Sequence, residues 1–166
     1  MATSETLISE NHFNPLNQCS IKVGKIVAIS ISKKKGIPKS NIDSAKLIEN
    51  WGIDGDIHAG NWHRQISFLA LESIDKMRAK GIPSLRPGAF AENITTEFID
   101  IPHLQIGSKI KIGDAELEVT QIGKECHDKC AIFVKVGDCV MPREGIFARV
   151  LKPGNIKVDD KVRVIS

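Results

Sequence analysis

KIKIGDAELEVTQI, running from Lys109 to Ile122, is the stretch whose reading decides the fold. KIKI and ELEVTQI, joined through Gly113-Asp114-Ala115, carry the signature of a β-hairpin. Similar short segments lie on either side. SIKVGKIVAISIS, Ser20 to Ser32, places Ile21 and Val23, then Ile26, Val27, Ile29 and Ile31, in a β-branched pattern that predicts a strand, interrupted and bulged at Gly24. AKLIENWGI reads as a short strand and QISFLAL as a buried one. LRPGAFAENITTEF reads as a turn followed by a strand. GIFARVL and DDKVRVIS are further strands, separated by a turn at KPGN. One segment has a helical period: in ESIDKMRAKG, Ile74 and Met77 share a face with Leu71, the basic residues point elsewhere, and Gly81 supplies a stop. Many short strands with one or two helices predict a mainly β protein, a closed or nearly closed barrel.

The 166 residues suit one domain, expected over residues 19–166 behind a loosely ordered polar tail, residues 1–18. A hydrophobic fraction of 42% beside a charged fraction of 26% excludes the disordered and fibrous classes. The apolar runs are too short to span a bilayer, and the first residues lack the basic-then-apolar order of a secretory signal, so the expected location is cytoplasmic, with no membrane partner. Net charge is +3, and the basic run Lys33-Lys34-Lys35 reads as a solvated loop, so no nucleic-acid partner is expected.

Three clusters could carry chemistry. The first is GKECHDKC, Gly123 to Cys130. In a reducing compartment, Cys19, Cys126, Cys130 and Cys139 are free, catalytic or metal-bound rather than structural disulfides. Cys126 and Cys130 with His127 and Cys139 would make a zinc-stabilised module, although no second Cys-x-x-Cys supports one. Cys139 in GDCVMP reads as a small buried residue. The remaining reading is one activated thiolate: neighbouring cations lower a thiol's pKa from about 8.5, and Lys124, His127, Lys129 and Arg143 are near in sequence.

The second cluster is GIDGDIHAGNWHR, an irregular loop. Gly52, Gly55 and Gly60 allow close backbone approach, and Asp56, His58, His63 and Arg64 concentrate polar groups. Asp56 and His58 are either a metal-ligand pair or an Asx-turn with His58 at the surface. The third is PREG, Pro142 to Gly145, where Arg143 either clamps a phosphate or pairs with Glu144 or another carboxylate. Together the clusters suggest a site for an anionic ligand with a thiol at its edge.

In order along the chain, GIDGDIHAG with RQISFLALESI, LRPGAFAENITT, LQIGSKIKIGDAELEVTQIGKECHDKC and MPREGIFARVLKPGNIKVDDKV resemble the MOSC domain family, named for the C-terminal domain of molybdenum cofactor sulfurase. The resemblance implies a strongly bent, barrel-like β fold and a role around molybdenum cofactor, a molybdenum or tungsten pterin, with Cys126 as metal ligand or sulfur carrier. Cys130 would then be placed to resolve a persulfide or sulfenate. The resemblance carries further residues onto the site: Gly55, Asp56 and His58 (GD-x-H), Arg64 and Gln65 (RQ), Glu92 and Asn93 (EN), and Arg143 and Glu144 with Gly145 (REG). Arg64 and Arg143 would meet the phosphate or pterin end of the cofactor. The chain has no room for the pyridoxal phosphate domain of the long sulfurases, so a cysteine desulfurase and a molybdoenzyme acceptor would act in trans. The resemblance also admits a molybdenum-dependent reductase of N-hydroxylated compounds, supplied with electrons by a partner.

Overall fold

The computed structural model describes residues 22–126 and 128–165. The expected tail, the first residues of the first strand, Cys19 and His127 lie outside the described residues.

The fold follows from alternation. The hairpin at its centre joins β7 (Lys109–Ile112) to β8 (Ala115–Ile122). Ile112 pairs directly with Ala115, so the loop is the two residues Gly113-Asp114, and Gly113 takes the positive φ such a tight turn requires. Ile110, Ile112, Ala115, Leu117 and Val119 all turn inward and are fully buried. The same alternation in β11 (Lys161–Ile165) buries Val162 between exposed Lys161 and Arg163.

Among the described residues, eight strands form one sheet. To the three above it adds β1 (Val23–Ile31), β2 (Ser40–Ile42), β5 (Ile66–Ala70), β6 (Ile94–Glu97) and β9 (Ile146–Lys152). Their order is β11-β7-β8-β9-β5-β6-β1-β2, and β11 also pairs with β1. That last pairing closes a seven-stranded barrel, with β2 as an appendage, and confirms the mainly β barrel expected from the sequence. A small second sheet, β10-β3-β4, comprises β3 (Ser44–Ile48), β4 (Gly52–Ile53) and β10 (Gly154–Lys157).

Among the described residues only β5 and β6 run parallel, and α1 (Leu71–Ala79) makes the crossover between them. β5 is buried at all five positions because both its faces are covered. Ile66 and Phe68 enter the barrel interior, while Leu69 packs outside against Ile74 and Met77 of α1 and against Phe147, Cys139 and Met141. Two short helices, α2 (Ala131–Val136) and α3 (Met141–Glu144), follow the cysteine loop.

Three expectations are corrected. Gly24 does not interrupt β1: it pairs in register with Val162, and the bulge lies between Ile26 and Ala28. Glycine is required there because a Cβ would stand 2.2 Å from the Glu97 carbonyl oxygen. The AKLIENWGI segment is a hairpin rather than one strand, turning at Glu49 to Trp51. KPGN is not a turn: Gly154 already pairs with Leu47, and the chain reverses at Val158-Asp159 instead. Among the described residues, no helix is long and apolar enough to cross a membrane.

Candidate functional site

The cysteine loop leaves the barrel at the end of β8. Gly123 sets its direction: its φ is +69°, its N–H donates to Gly145 O at 2.7 Å, and a Cβ would stand 2.0 Å from the Pro142 carbonyl oxygen. The loop is thereby pressed against α3. Cys126 and Cys130 are exposed and free, and Cys139 is buried and free.

All three cysteines line the same two adjoining cavities. One, of about 230 Å³, is bounded by Lys124, Phe90, Ile132, Met141 and Phe147, with Ala89 and Ala91 on its rim. The other, of about 300 Å³, adds Asp128, Lys129, Phe133, Asp138, Pro142 and Arg143. Cys139 is thus a small buried residue, as its sequence context suggests, but it also faces the site. Burial pushes its thiol upward, and the neighbouring Cys130 and Cys126 add to that. Among the described residues, no three His, Cys, Asp or Glu side chains come together as a metal-holding group. Cys126, Cys130 and Cys139 therefore do not make a zinc cage by themselves.

Behind one cavity wall lies a buried polar network that the GD-x-H and EN residues build. The Asp56 side chain is 1% exposed. It accepts from Ser32 N at 3.1 Å, Asn93 Nδ2 at 2.8 Å and Lys39 Nζ at 3.4 Å. His58, exposed, reaches it through Nδ1 at 3.4 Å. Burial pushes the Asp56 carboxyl up, but the Lys39 charge and the Asn93 and Ser32 donors outweigh it and hold the group below its ordinary value. For Lys39 burial wins, and its ammonium is pulled down despite Asp56. Asn93 also donates to Ser30 O and accepts from Ser67 N, which ties β1, β5 and the Asp56 loop together.

Glu92 is fully buried and shapes the cavity wall directly. Its two carboxylate oxygens accept from Gly88 N at 2.6 Å, Phe90 N at 3.0 Å and Thr95 Oγ1 at 3.0 Å. These bonds curl Gly88 to Ala91 into the strip that presents Ala89, Phe90 and Ala91 to the site. Burial nevertheless raises the Glu92 carboxyl above its usual range. Gln65 works as a suture, accepting Val150 N at 2.8 Å. The structure therefore places Asp56, Gln65, Glu92 and Asn93 behind the site rather than on its surface.

The two arginines are both engaged. Arg64 lies over the Trp62 ring at 4.7 Å and near the ring of Phe147, a residue that lines the smaller cavity, at 5.8 Å. Its Nε is buried without a partner. Arg143 grips Asp138 with two nitrogens, at 2.8 and 3.1 Å. Arg143 and Lys80, which also pairs with Asp138, hold that carboxyl well below the usual range. Of the two sequence readings of Arg143, the carboxylate pair is the one observed, with Asp138 rather than Glu144 as partner. Glu144 instead accepts from Lys76 at 2.8 Å and from Ser73, which locks α3 to α1. Gly55 has a positive φ with open space around it, a turn position at the head of the Asp56 loop.

Sequence reasoning missed Lys39, Asp138, the cavity face of Cys139 and the Ala89–Ala91 strip. Lys39 stands in a segment otherwise read as solvated loop, and no local pattern marks it. The Gly88 to Ala91 strip had one signal: Gly88 fits a backbone at positive φ, which is observed there, whereas Ala91 also takes positive φ although its residue type does not announce it.

Comparison with known proteins bears on this geometry. The MOSC domain profile matches residues 54–163. The YuaD protein from Bacillus subtilis superposes with a TM-score of 0.74 at 21% identity, covering 86% of this chain and 95% of that one. YiiM from Geobacillus stearothermophilus gives 0.65 at 19% identity over 86% and 75% of the two chains. YiiM from Escherichia coli gives 0.62 at 16% identity over 86% and 70%. At these identities the likeness shows a shared fold. No curated protein matches the sequence.

Proposed function

Because the chain belongs to the MOSC domain family, we propose that it binds molybdenum cofactor, in its molybdenum or tungsten form, with Cys126 as the metal-facing thiolate or as a carrier of sulfur for molybdoenzyme maturation. The observation that carries this reading is the exposed Cys126 on cavities it shares with two further thiols.

The donor set suits such a ligand. Thiolate sulfur favours soft metals. Lys124 and Lys129 line these cavities and offer cations to an anionic pterin phosphate, with Arg143 held on Asp138 beside them, while Phe90, Ile132, Met141 and Phe147 offer an apolar wall to its ring. When bound, the metal centre supplies redox and atom-transfer chemistry. The chain's own part is to present a sulfur at a fixed place: Gly123 aims the loop, Glu92 shapes the facing wall, and the Asp56 network fixes the strands behind it. Arg64, braced between Trp62 and Phe147, holds the ring that closes the smaller cavity.

The pair of exposed thiols specifically favours the sulfur-carrying form. The Cys126 thiolate attacks the terminal sulfur of a desulfurase persulfide, giving Cys126–S–SH and releasing the donor's thiolate. Pyridoxal phosphate belongs to that partner, and the acceptor is a molybdoenzyme. A reductase of N-hydroxylated compounds would use the same cavity with electrons from an external flavin or iron–sulfur protein; turnover by metal-loaded protein tests it.

The deciding experiment is elemental analysis of protein purified anaerobically from a host that makes the cofactor, with Cys126→Ser in parallel and a sulfane-sulfur probe on both. Molybdenum, tungsten or sulfane sulfur present in the wild type and lost in the variant supports the reading. Equal amounts in both reject it. Zinc at one per chain, with a melting temperature that falls in chelator, would establish the zinc module instead.

A further inference from the structure

At the end of β8 away from the cysteine loop, a third cavity of about 280 Å³ is lined by Lys111, Gly113, Asp160, Lys161 and Arg163. We propose that it is a binding site for a small phosphate-type oxyanion, either free or as the terminal group of a phosphorylated metabolite.

Strand register brings the cations together. Lys111 on β7 stands directly opposite Arg163 on β11, and Lys161 stands directly opposite Lys25 on β1. Lys161 and Arg163 flank the inward-pointing Val162, so both face out on one side of the barrel. Like charges directly opposed across a ladder are destabilising. Elsewhere the fold answers such a charge: Lys25 meets Glu97 at 3.1 Å and Asp159 at 3.4 Å, and Arg149 meets Glu118 at 3.0 Å. Among the described residues, Lys111, Lys161 and Arg163 form no ion pair. Two acids are near. Glu116 is the β8 register partner of Lys111 but makes no ion pair with it, and Asp160 accepts the Lys157 N–H at 2.9 Å through Oδ2. Three cations around a concavity, set against the single lining carboxylate of Asp160 and ion-paired to none, leave a net positive charge that suits an oxyanion of two or more charges, which Arg can grip bidentately.

The test is an amide NMR titration of the full chain at low salt with orthophosphate and pyrophosphate. The variants are Lys111→Gln with Arg163→Gln, and Lys46→Gln as a control on β3. The expected result is saturable shifts at Gly113, Asp160, Lys161 and Arg163, with binding weakened about tenfold or more in the double variant and unchanged in the control. A melting measurement covers the fold. Without anion the double variant should melt no lower than wild type, because like charges have been removed, and phosphate should raise the melting temperature of wild type alone. Shifts that do not saturate, or equal weakening by Lys46→Gln, overturn the site. So does a short duplex DNA that occupies this face more tightly than pyrophosphate, which would make it a nucleic-acid surface.

Discussion

Asp56 and Glu92 are buried carboxylates from neighbouring motifs with opposite electrostatic signs. The ionised form of Asp56 is favoured on folding, so its stabilisation is complete above the unfolded-chain value near 4 and is lost as pH falls through its lower folded value. Glu92 is raised on folding, so the stability tied to its proton is complete below about 4.5 and is lost as pH rises through its folded value. Asp56→Asn leaves Lys39 buried without a counter-charge and should lower stability by about 3 kcal/mol at neutral pH. Urea unfolding measured from pH 7 down to 3 should also show a shallower acid limb for that variant. Glu92→Gln should lower stability by about 1–3 kcal/mol, because an amide NH₂ would face one of the N–H groups of Gly88 and Phe90. Among the thiols, iodoacetamide should label Cys126 and Cys130 in native protein and reach Cys139 only on unfolding or at raised pH, since burial both shields that thiol and keeps it protonated. Peptide mapping reads this directly. The sequence marks Asp56 and Glu92 as motif members, but not what they do. Their partners Ser32, Lys39, Asn93 and Gly88 acquire meaning only when separate loops fold onto one another.

The cysteine loop shows how an element, rather than a residue, makes the site. Gly123→Ala places a methyl into the Pro142 carbonyl at a positive φ, so the loop must leave α3. It should destabilise by about 3 kcal/mol or more, and Cys126 labelling should change with it. Gly107→Ala is the matched control: φ is +90° there, but nothing lies within 4 Å, so only backbone strain of about 1–2 kcal/mol is expected and Cys126 labelling should be unaffected. The elements were legible where a local period exists. The β7–β8 hairpin and α1 announce themselves, because each buries one face against the barrel. β10 was not legible: GNIK follows a proline and reads as a turn, and its strand character comes wholly from pairing with β3, more than a hundred positions earlier. α2 escaped for a related reason. Its six residues, AIFVKV, bury Ile132, Phe133 and Val136 only in part, and the run is too short and too uniformly apolar for a helical period to stand out.

At the scale of the whole molecule, the barrel exists only because the last strand finds the first. β11 pairs with β7 on one side and with β1 on the other, so one strand supplies both edges that would otherwise stand open. Its pairing with β1 joins Val23 to Arg163 across nearly the full described chain. Closing so long a loop costs conformational entropy before any contact offsets it, and folding dominated by non-local pairing belongs in the millisecond-to-second range. The hairpin β7–β8 is local and can form early, whereas the seam with β1 must wait until the chain between them is ordered. Val162, fully buried in that seam, reports on the order of events. Val162→Ala removes two methyl groups from the core and should lower stability by about 2 kcal/mol. If the seam closes after the rate-limiting step, most of that change should appear as faster unfolding, with the refolding rate nearly that of wild type. Leu117→Ala in β8 should instead slow refolding, because its contacts within the hairpin and with β9 do not depend on the seam. Stopped-flow chevrons of the two variants separate the cases: equal slowing of refolding in both would mean that the barrel closes within its folding nucleus.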